Sequence, residues 1–282
     1  ACPELMNIEH PDVVKSIHEA YIKAGSTIIE TNTFGASTIK LEHYGLADRM
    51  TELNTAAVKI AKSAAGERAK VAGSMGPTGR FIQPLGDLDF EAAYQVFYEQ
   101  SQALAAAGVD YFIIETCIDI QEMRAALLAA KEAAPKIPVI CQLSYSEDGR
   151  TVTGTDPQSA AVILAAMGAD IIGVNCSLGP EQLVPIVKTL AENCQVPISV
   201  QPNAGMPYLD NGETKFPMGA VEFGTWGRKL VEAGASFLGG CCGTTPEYIG
   251  EIYKTVFQAK KTESAVKIPT KIVWGDVTKR VQ

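Results

Sequence analysis

Histidine is scarce in this sequence of 282 residues, and that scarcity limits the chemistry open to the protein. The three histidines are His10, His18 and His43. A metal site or a general base built from residues after position 43 must therefore do without imidazole. Cysteine, in contrast, occurs seven times, and six of the seven lie after residue 100.

Long apolar runs and a signal peptide are also lacking. No run of about 18 apolar residues exists, so no transmembrane helix is expected. The N-terminal segment "ACPELMNIEHPDVV" has no basic region followed by an apolar run, so we expect no secretory signal. The net charge of −8 is diffuse, which argues against nucleic acid or a membrane surface as the main partner. An odd number of cysteines without such a signal favours a cytoplasmic protein over a disulfide scaffold.

The sequence has no nucleotide-binding loop that we can identify. No glycine-rich dinucleotide fingerprint follows any predicted strand. The stretch "GSMGPTG" (73–79) resembles a phosphate cradle but lacks the Lys-Ser/Thr of a P-loop. We interpret it as a tight loop at an active site.

Apolar, β-rich runs alternate with helical patterns along the chain. Continuously apolar strands are typical of a parallel sheet that is buried on both faces. The predicted strands are 26–31, 70–74, 109–116, 137–144, 169–176, 196–202 and 235–241. The predicted helices are 11–24, 47–65, 89–107, 120–134, 157–167, 180–193, 219–233 and 246–259.

Repeated helix ends indicate the architecture. "YIKAGS", "AAAGVD", "AAMGAD" and "VEAGAS" each combine a helix end, a glycine and a strand start. This repetition favours an α/β fold of the (β/α)8 TIM-barrel type over an open doubly wound sheet. Eight helices but seven strands are predicted, so the first strand is apparently missing from this chain, or another segment closes the barrel. We expect one barrel domain over 1–260 and a tail or linker over 261–282, in which "KIVW" (271–274) is an edge strand or part of the linker and is not expected to fill the gap.

Three cysteines fall at the predicted carboxyl ends of strands, where TIM barrels carry their active sites. Cys176 follows one strand, and Cys241 and Cys242 follow another, 65 residues further on. Three thiolates that meet at a barrel mouth would suit Zn²⁺ and leave one coordination position open, as in catalytic sites. The alternative is that they are buried cysteines that act as small apolar side chains. We prefer that alternative for Cys117, Cys141 and Cys194 and assign no role to Cys2.

The ligand set also predicts the kind of reaction. A zinc ion with three sulfur ligands is already electron-rich, and it is therefore a poor Lewis acid toward carbonyls or water. It suits a fourth ligand that is itself a thiol, whose pKa it lowers. The site therefore favours S-alkylation of a small thiol over hydrolysis.

Several motifs resemble those of the zinc-dependent homocysteine S-methyltransferase family, and the homocysteine-binding module of cobalamin-dependent methionine synthases above all. They are "TNTFGA" (31–36), "GPTG" (76–79), "TGTD" (153–156), "GVNCSLGPE" (173–181), "QPNAG" (201–205) and "GGCCGTTPEY" (239–248). The resemblance extends to about residue 260. The family's usual Asp-Gly-Ala-x-Gly-Thr loop, which helps to hold the amino acid, has no counterpart here.

The resemblance implies roles for individual residues. Cys176, Cys241 and Cys242 match the zinc ligands, and Glu115 matches the acid that holds the amino group of the substrate. Asn203 matches the residue that occupies the open zinc position when substrate is absent. Asn175 and Asn32 are lesser candidates for polar positioning, and hydrogen bonding within turns explains them equally well.

The implied activity is transfer of a methyl group to L-homocysteine, which gives methionine. The donor implied is methylcobalamin carried by a corrinoid protein or domain, because this chain shows no cobalamin-binding segment. S-methylmethionine and betaine are alternative donors. Two further alternatives stay open: an incomplete module that binds zinc without turnover, and a cysteine-rich barrel without metal.

Overall fold

The computed structural model describes residues 2–258 and 274–275. The α-helices in this part of the chain are α1 Met6–Glu9, α2 Pro11–Ala24, α3 Thr38–Glu42, α4 Met50–Ala65, α5 Phe90–Ala107, α6 Ile120–Ala133, α7 Pro157–Ala166, α8 Pro180–Asn193, α9 Ala220–Glu232 and α10 Pro246–Ile252. Short 3₁₀ turns lie at Pro3–Leu5 and Ala47–Arg49, and a π-helical turn, Tyr253–Gln258, follows α10.

The strands are β1 Ile28–Glu30, β2 Lys70–Met75, β3 Tyr111–Cys117, β4 Val139–Leu143, β5 Ile171–Asn175, β6 Ile198–Gln201, β7 Tyr208–Asp210, β8 Glu213–Lys215, β9 Ala235–Leu238 and β10 Trp274–Gly275. Eight of the strands in the described residues form one sheet in the order β10-β1-β2-β3-β4-β5-β6-β9, and all neighbours are parallel. Strands β7 and β8 form a separate antiparallel hairpin.

The predicted alternation of strands and helices is confirmed. All seven predicted strands are present in a curled parallel sheet, which is part of a (β/α)8 barrel. Pro157, Pro180 and Pro246 each begin a helix, where the missing N–H costs no hydrogen bond. The glycine in each of the four repeated helix ends has a positive φ, a conformation that glycine adopts without a steric penalty.

The strands bury both faces, and this arrangement produces two apolar cores. Inside the curl, Ile28, Ala72, Ile113, Ile140, Ile171 and Phe237 pack together. Residues that alternate with them, such as Ile29, Phe112 and Ile172, pack outward against the helices. The carboxyl ends of the parallel strands all emerge at one edge of the curl, so loops far apart in sequence meet there.

The chain before β1 is helical over residues 3–24 except at His10, in agreement with the expectation that no strand precedes the first helix. The position beside β1 is taken by β10, so part of the run 271–274 is an edge strand rather than a linker, and the expectation that it does not fill the gap is wrong on the β1 side. In the described residues β10 pairs with β1 and not with β9. The proposed domain boundary at residue 260, and the rest of the tail 261–282, lie outside the described residues.

The hairpin of β7 and β8 was not predicted from the sequence. Its turn is Asn211-Gly212, and both residues have positive φ values, 52° and 85°. Asn-Gly between short extended segments is a strong hairpin signal, so the sequence did carry the information. None of the helices that the structure describes has the length and apolar character needed to cross a membrane.

Candidate metal centre

The three cysteines predicted to form a metal site meet at the carboxyl edge of the sheet. Cys176 follows β5 directly, and Cys241 and Cys242 follow β9 after two glycines. Their sulfur atoms all lie within 4.8 Å of one another, and the Sγ atoms of Cys176 and Cys242 are 3.6 Å apart. In the described part of the chain, this is the one group of three or more His, Cys, Asp or Glu side chains that could hold a metal ion.

The end of β6 and the loop after it hold the two cysteine segments together. The Cys176 N–H donates to the carbonyl of Gln201 at 3.1 Å, and the Cys241 N–H donates to that of Pro202 at 2.7 Å. Cys176 has a left-handed backbone with φ of 61°. Residues other than glycine rarely adopt this conformation unless other contacts stabilise it. These backbone hydrogen bonds supply such support, so the thiols are positioned by the fold rather than by one another.

The donor set fits a soft, tetrahedral cation such as Zn²⁺. The neighbouring thiols of Cys176 and Cys241, followed by burial, raise the pKa of the Cys242 thiol. Three sulfurs this close cannot all ionise unless a positive charge lies among them, and a divalent metal supplies it. Thiolate ligands favour zinc over magnesium or calcium, which prefer oxygen.

The remaining four cysteines lie apart from this cluster. Cys117 and Cys141 are fully buried in the apolar core, where burial raises the pKa of each thiol. Cys194 packs at the edge of the same core. The Cys2 thiol donates a hydrogen bond to Glu4 at 3.1 Å, and burial together with this acid raises its pKa to about 11. All four are therefore neutral thiols with structural contacts, as expected for Cys117, Cys141 and Cys194; no role was predicted for Cys2.

Glu115, the predicted partner of a substrate amino group, lies inside the barrel next to the cysteines. Its carboxylate is fully buried and accepts hydrogen bonds from the Ser74 hydroxyl at 2.7 Å and from Asn175 Nδ2 at 3.2 Å. The same Asn175 nitrogen lies 3.9 Å from the Sγ atom of Cys241. Asn175 therefore links the carboxylate to the cysteine cluster, and Glu115 is not a solvated acid at the end of its strand.

The other two asparagines have different surroundings. Asn203 is buried, and its Oδ1 atom accepts a hydrogen bond from the Cys242 N–H at 3.1 Å, so it supports the Cys-Cys turn. Its predicted approach to the open metal position stays a prediction. Asn32 donates to the carbonyl of Pro3 at 2.9 Å and to Asn7 at 3.2 Å. These contacts hold the N-terminal segment against the end of β1, and the predicted role of Asn32 in polar positioning stays a prediction.

Sequence reasoning missed two residues that contact this site, Ser74 and Thr116. Ser74 was hidden inside the motif "GSMGPTG", whose serine is the hydrogen-bond donor to Glu115. Thr116 follows Glu115 directly and bonds to Asn175 through both its backbone and its hydroxyl. Neither contact has a local signal in the sequence, because each partner lies on a different strand.

The predicted loop 73–79 is wrong in its first three residues, which belong to β2, and residues 76–79 form the loop that a buried acid holds. Thr78 donates to Glu122 Oε1 through its N–H at 2.7 Å and through its hydroxyl at 2.6 Å. Burial raises the pKa of Glu122, and the two hydrogen bonds from Thr78 act in the opposite direction. A side chain at Gly76 would collide with the Phe34 ring and carbonyl, so the loop needs glycine at that position.

A curled parallel sheet thus carries three convergent thiols that could hold a metal ion, and a buried carboxylate, at its carboxyl edge. The model of the homocysteine S-methyltransferase family matches residues 1–256. The chain belongs to this family.

Two curated relatives are methionine synthases. The protein of Mycobacterium tuberculosis (strain ATCC 25618 / H37Rv) is 33% identical over 276 residues, which are 94% of this chain and 23% of that protein. The protein of Mycobacterium leprae (strain TN) is 32% identical over 266 residues, 90% of this chain and 22% of that protein. The chain therefore spans less than a quarter of the length of these relatives.

Solved structures support the fold. The homocysteine methyltransferase MmuM from Escherichia coli, in its metallated form, superposes with a TM-score of 0.76 at 22% identity over 89% of this chain and 87% of that one. A dihydrodipicolinate synthase from Bacillus anthracis superposes with a TM-score of 0.54 at 13% identity, over 89% of this chain and 70% of that one. At these identities the likeness concerns the fold alone.

Proposed function

We propose that this chain catalyses the zinc-dependent transfer of a methyl group to the thiol of L-homocysteine, which gives methionine. The observation that carries the proposal is the convergence of Cys176, Cys241 and Cys242, with all sulfurs within 4.8 Å of one another, beside the buried carboxylate of Glu115. Membership of the family and the names of the relatives support the choice of substrate.

Zinc would be held by the three cysteine thiolates, with the fourth position left for the sulfur of the substrate. When bound, the metal supplies a positive charge that keeps a fourth thiol ionised at neutral pH. The hydrogen bonds from the Cys176 and Cys241 backbones fix the direction of these thiols in advance. We propose that Asn203 keeps the Cys-Cys turn in place through its bond to the Cys242 N–H.

Glu115 would bind the ammonium group of homocysteine. A buried ammonium needs a counter-charge, and this carboxylate is fully buried. Its Oε2 atom and the Sγ atom of Cys241 both lie within 3.9 Å of Asn175 Nδ2, so one small amino acid can reach both ends of the site. The substrate would thus be held at its sulfur and at its amino group, which orients the thiolate for attack.

The reaction itself is a displacement at a methyl carbon. The substrate sulfur, having lost its proton, forms the new S–C bond with its own electron pair. The bond between the methyl carbon and the donor breaks at the same time, and its electron pair leaves with the donor. No general base at the metal is required, because the substrate thiol would already be ionised. Orientation and thiolate formation then account for the rate enhancement.

We propose methylcobalamin, carried by a corrinoid domain or protein, as the methyl donor. The support is that the chain matches less than a quarter of each of two methionine synthases, which leaves room for other domains in those proteins. S-methylmethionine and betaine remain alternative donors, and a zinc-binding module without turnover remains the alternative function.

We also propose a cytoplasmic location, since all seven cysteines are free thiols and metal binding requires that three stay reduced.

The test is zinc stoichiometry together with sulfur coordination measured by X-ray absorption, before and after addition of L-homocysteine. We expect one zinc per chain with three sulfur neighbours, rising to four with L-homocysteine. L-homoserine, in which oxygen replaces the sulfur, should leave the count at three. Cys194→Ser is the matched control variant, because Cys194 lies outside the cluster, and it should behave as the unaltered chain does.

The outcomes separate the alternatives. Absence of zinc under reducing conditions would contradict the metal site and favour the cysteine-rich barrel. One zinc with no response to L-homocysteine would favour the incomplete module. Once homocysteine binding is established, formation of methionine from free methylcobalamin, S-methylmethionine or betaine, tested separately, identifies the donor.

A further inference from the structure

Thr116 has an unusual backbone beside the buried carboxylate. It lies in β3 directly after Glu115, and its φ is 62°. A threonine rarely adopts this left-handed conformation, because its branched Cβ collides with the backbone. Strained residues of this kind persist where surrounding contacts hold them, and they cluster at functional sites.

The strain coincides with an irregularity in the sheet. In the pairing of β3 with β4, Ile114 lies opposite Cys141 and Cys117 lies opposite Leu143, so β3 contains one extra residue. Ile114 and Cys117 both pack in the outer core, although three residues apart in a regular strand would place them on opposite faces. The bulge at positions 115–116 therefore leaves Glu115 on the inner face with Ile113 and returns Cys117 to the outer core.

Asn175 holds this bulge. Its Oδ1 atom accepts the Thr116 N–H at 2.8 Å, and its Nδ2 atom donates to the Thr116 hydroxyl at 2.9 Å. The backbone carbonyl of Asn175 in turn accepts a hydrogen bond from the Ser144 hydroxyl at 2.7 Å. Since Asn175 directly precedes Cys176, the clamp on Thr116 connects the bulge to the first of the cysteine ligands.

We propose that Thr116 is a positioning residue: its left-handed backbone, clamped by Asn175, fixes the distance and direction between the Glu115 carboxylate and the cysteine cluster. The inference rests on the proposed function, because the two groups must hold the two ends of one amino acid. Thr116 acts through Glu115 and Asn175 and does not itself bind the substrate. The strain is retained because releasing it would let the carboxylate turn away from the metal site.

Substitution of Thr116 by glycine distinguishes a role in positioning Glu115 from a role in stability. Glycine adopts a positive φ without a steric penalty, so Thr116→Gly relieves the strain while it removes the hydroxyl contact and frees the backbone. We expect a melting temperature no lower than that of the unaltered chain, unchanged zinc stoichiometry, and a Kd for L-homocysteine raised about 10-fold or more, measured by calorimetry on the zinc-loaded chain. Thr116→Ser keeps the hydroxyl and should stay within about 2-fold of the unaltered Kd.

The matched control is Asn211→Gly. Asn211 also has a left-handed backbone, with φ of 52°, but lies in the exposed turn of the β7–β8 hairpin. It should leave the Kd for L-homocysteine unchanged. An unchanged Kd in Thr116→Gly would overturn the proposal, and so would a joint loss of zinc, melting temperature and affinity, since that pattern belongs to a structural role.

A second measurement does not depend on homocysteine. Hydrogen exchange of the Asn175 side-chain amide, followed by NMR in the zinc-loaded chain without substrate, should be about 10-fold faster in Thr116→Gly than in the unaltered chain and in Thr116→Ser. If the unaltered chain binds no homocysteine, the proposed function fails. The exchange rate then still decides whether the conformation of Thr116 holds the Asn175 side chain in place. Unchanged exchange in Thr116→Gly would overturn the proposal whatever the affinity.

Discussion

The inner face of the curled sheet is apolar at one end of the strands and polar at the other. The apolar layer consists of Ile28, Ala72, Ile113, Ile140, Ile171 and Phe237. The polar layer, toward the carboxyl ends of the strands, consists of Glu30, Ser74, Glu115, Gln142, Asn175, Ser199 and Gln201, and each of these is at most 1% exposed. On strands β1 to β4, the change from one layer to the other takes place within two residues.

The two layers are stabilised differently. The apolar layer gains free energy by removal of its side chains from water. The polar layer must replace lost hydrogen bonds to water, and it does so in part between strands: Gln201 donates to Glu30 at 2.8 Å, and Gln142 donates to Ser199 at 2.8 Å. Within the described residues, the Oε1 atoms of both glutamines have no hydrogen-bond partner. A protein that needed stability alone would continue the apolar layer, so the polar layer indicates that this end of the barrel is kept for binding.

Loss of one cysteine ligand at the polar end of the barrel should have the largest effect that we predict, and the effect is on zinc affinity. Cys241→Ser removes one of the three sulfur donors, so we expect the affinity for zinc to fall on the order of 1000-fold, about 4 kcal/mol. The measurement is competition with a chromophoric chelator. Retention of the original zinc affinity would contradict the site assignment, and Cys194→Ser serves as the control.

A cavity in the apolar layer should affect stability and leave the metal site intact. Ile113→Ala removes a fully buried side chain, and we expect the free energy of unfolding to fall by about 3 kcal/mol. Denaturant titration measures this, with Ile113→Val as the smaller step of about 1 kcal/mol. Zinc stoichiometry of the folded variant should stay at the unaltered value. Loss of zinc from folded Ile113→Ala would show that the two layers are not independent.

Neutralising the Glu115 carboxylate of the polar layer should weaken substrate binding. Glu115→Gln keeps the shape of the side chain but removes the charge that would face an ammonium group. We expect the Kd for L-homocysteine to rise on the order of 30-fold, about 2 kcal/mol, with zinc binding retained.

Glu122→Gln is the control for this change, since it neutralises a buried carboxylate that holds the 76–79 loop. Calorimetry compares the two variants. Equal Kd values for Glu115→Gln and the unaltered chain would show that the amino group is bound elsewhere.

The last effect that we predict is a dependence of stability on acid pH, and it should arise outside both layers. His18 on α2 is fully buried, and burial lowers its pKa to about 3. As the pH falls below the unfolded value of about 6.5, the unfolded chain takes up the proton first, so the free energy of unfolding decreases. By pH 5 this loss amounts to about 2 kcal/mol.

His18→Phe should remove that part of the pH dependence. Among the described residues, neither ring nitrogen of His18 has a hydrogen-bond partner, so the replacement breaks no hydrogen bond there. Urea denaturation at pH 7 and pH 5 makes the comparison, with the exposed His43→Gln as control. An identical decrease in the unaltered chain and in His18→Phe would place the acid sensitivity in another group.

Much of the site could be predicted because its parts are ends of local elements. Cys176, Cys241 and Cys242 follow apolar runs that are strands, and the parallel fold brings strand ends to one edge. The contacts of Asn32 and Asn203 could not be predicted in this way. Both are polar residues in loops, and their partners are 25 or more residues away along the chain.

The sequence by itself determined the alternation of strands and helices, the proline helix starts, the glycine helix ends and the position of the cysteines on the strands. Each of these depends on the conformational preferences of a few neighbouring residues. Only the tertiary structure decided that Cys176 lies 3.6 Å from Cys242, that Asn175 joins Glu115 to Cys241, and that Thr116 is held in a left-handed conformation. The physical reason is that these distances depend on the register and curl of the whole sheet, which no local segment specifies.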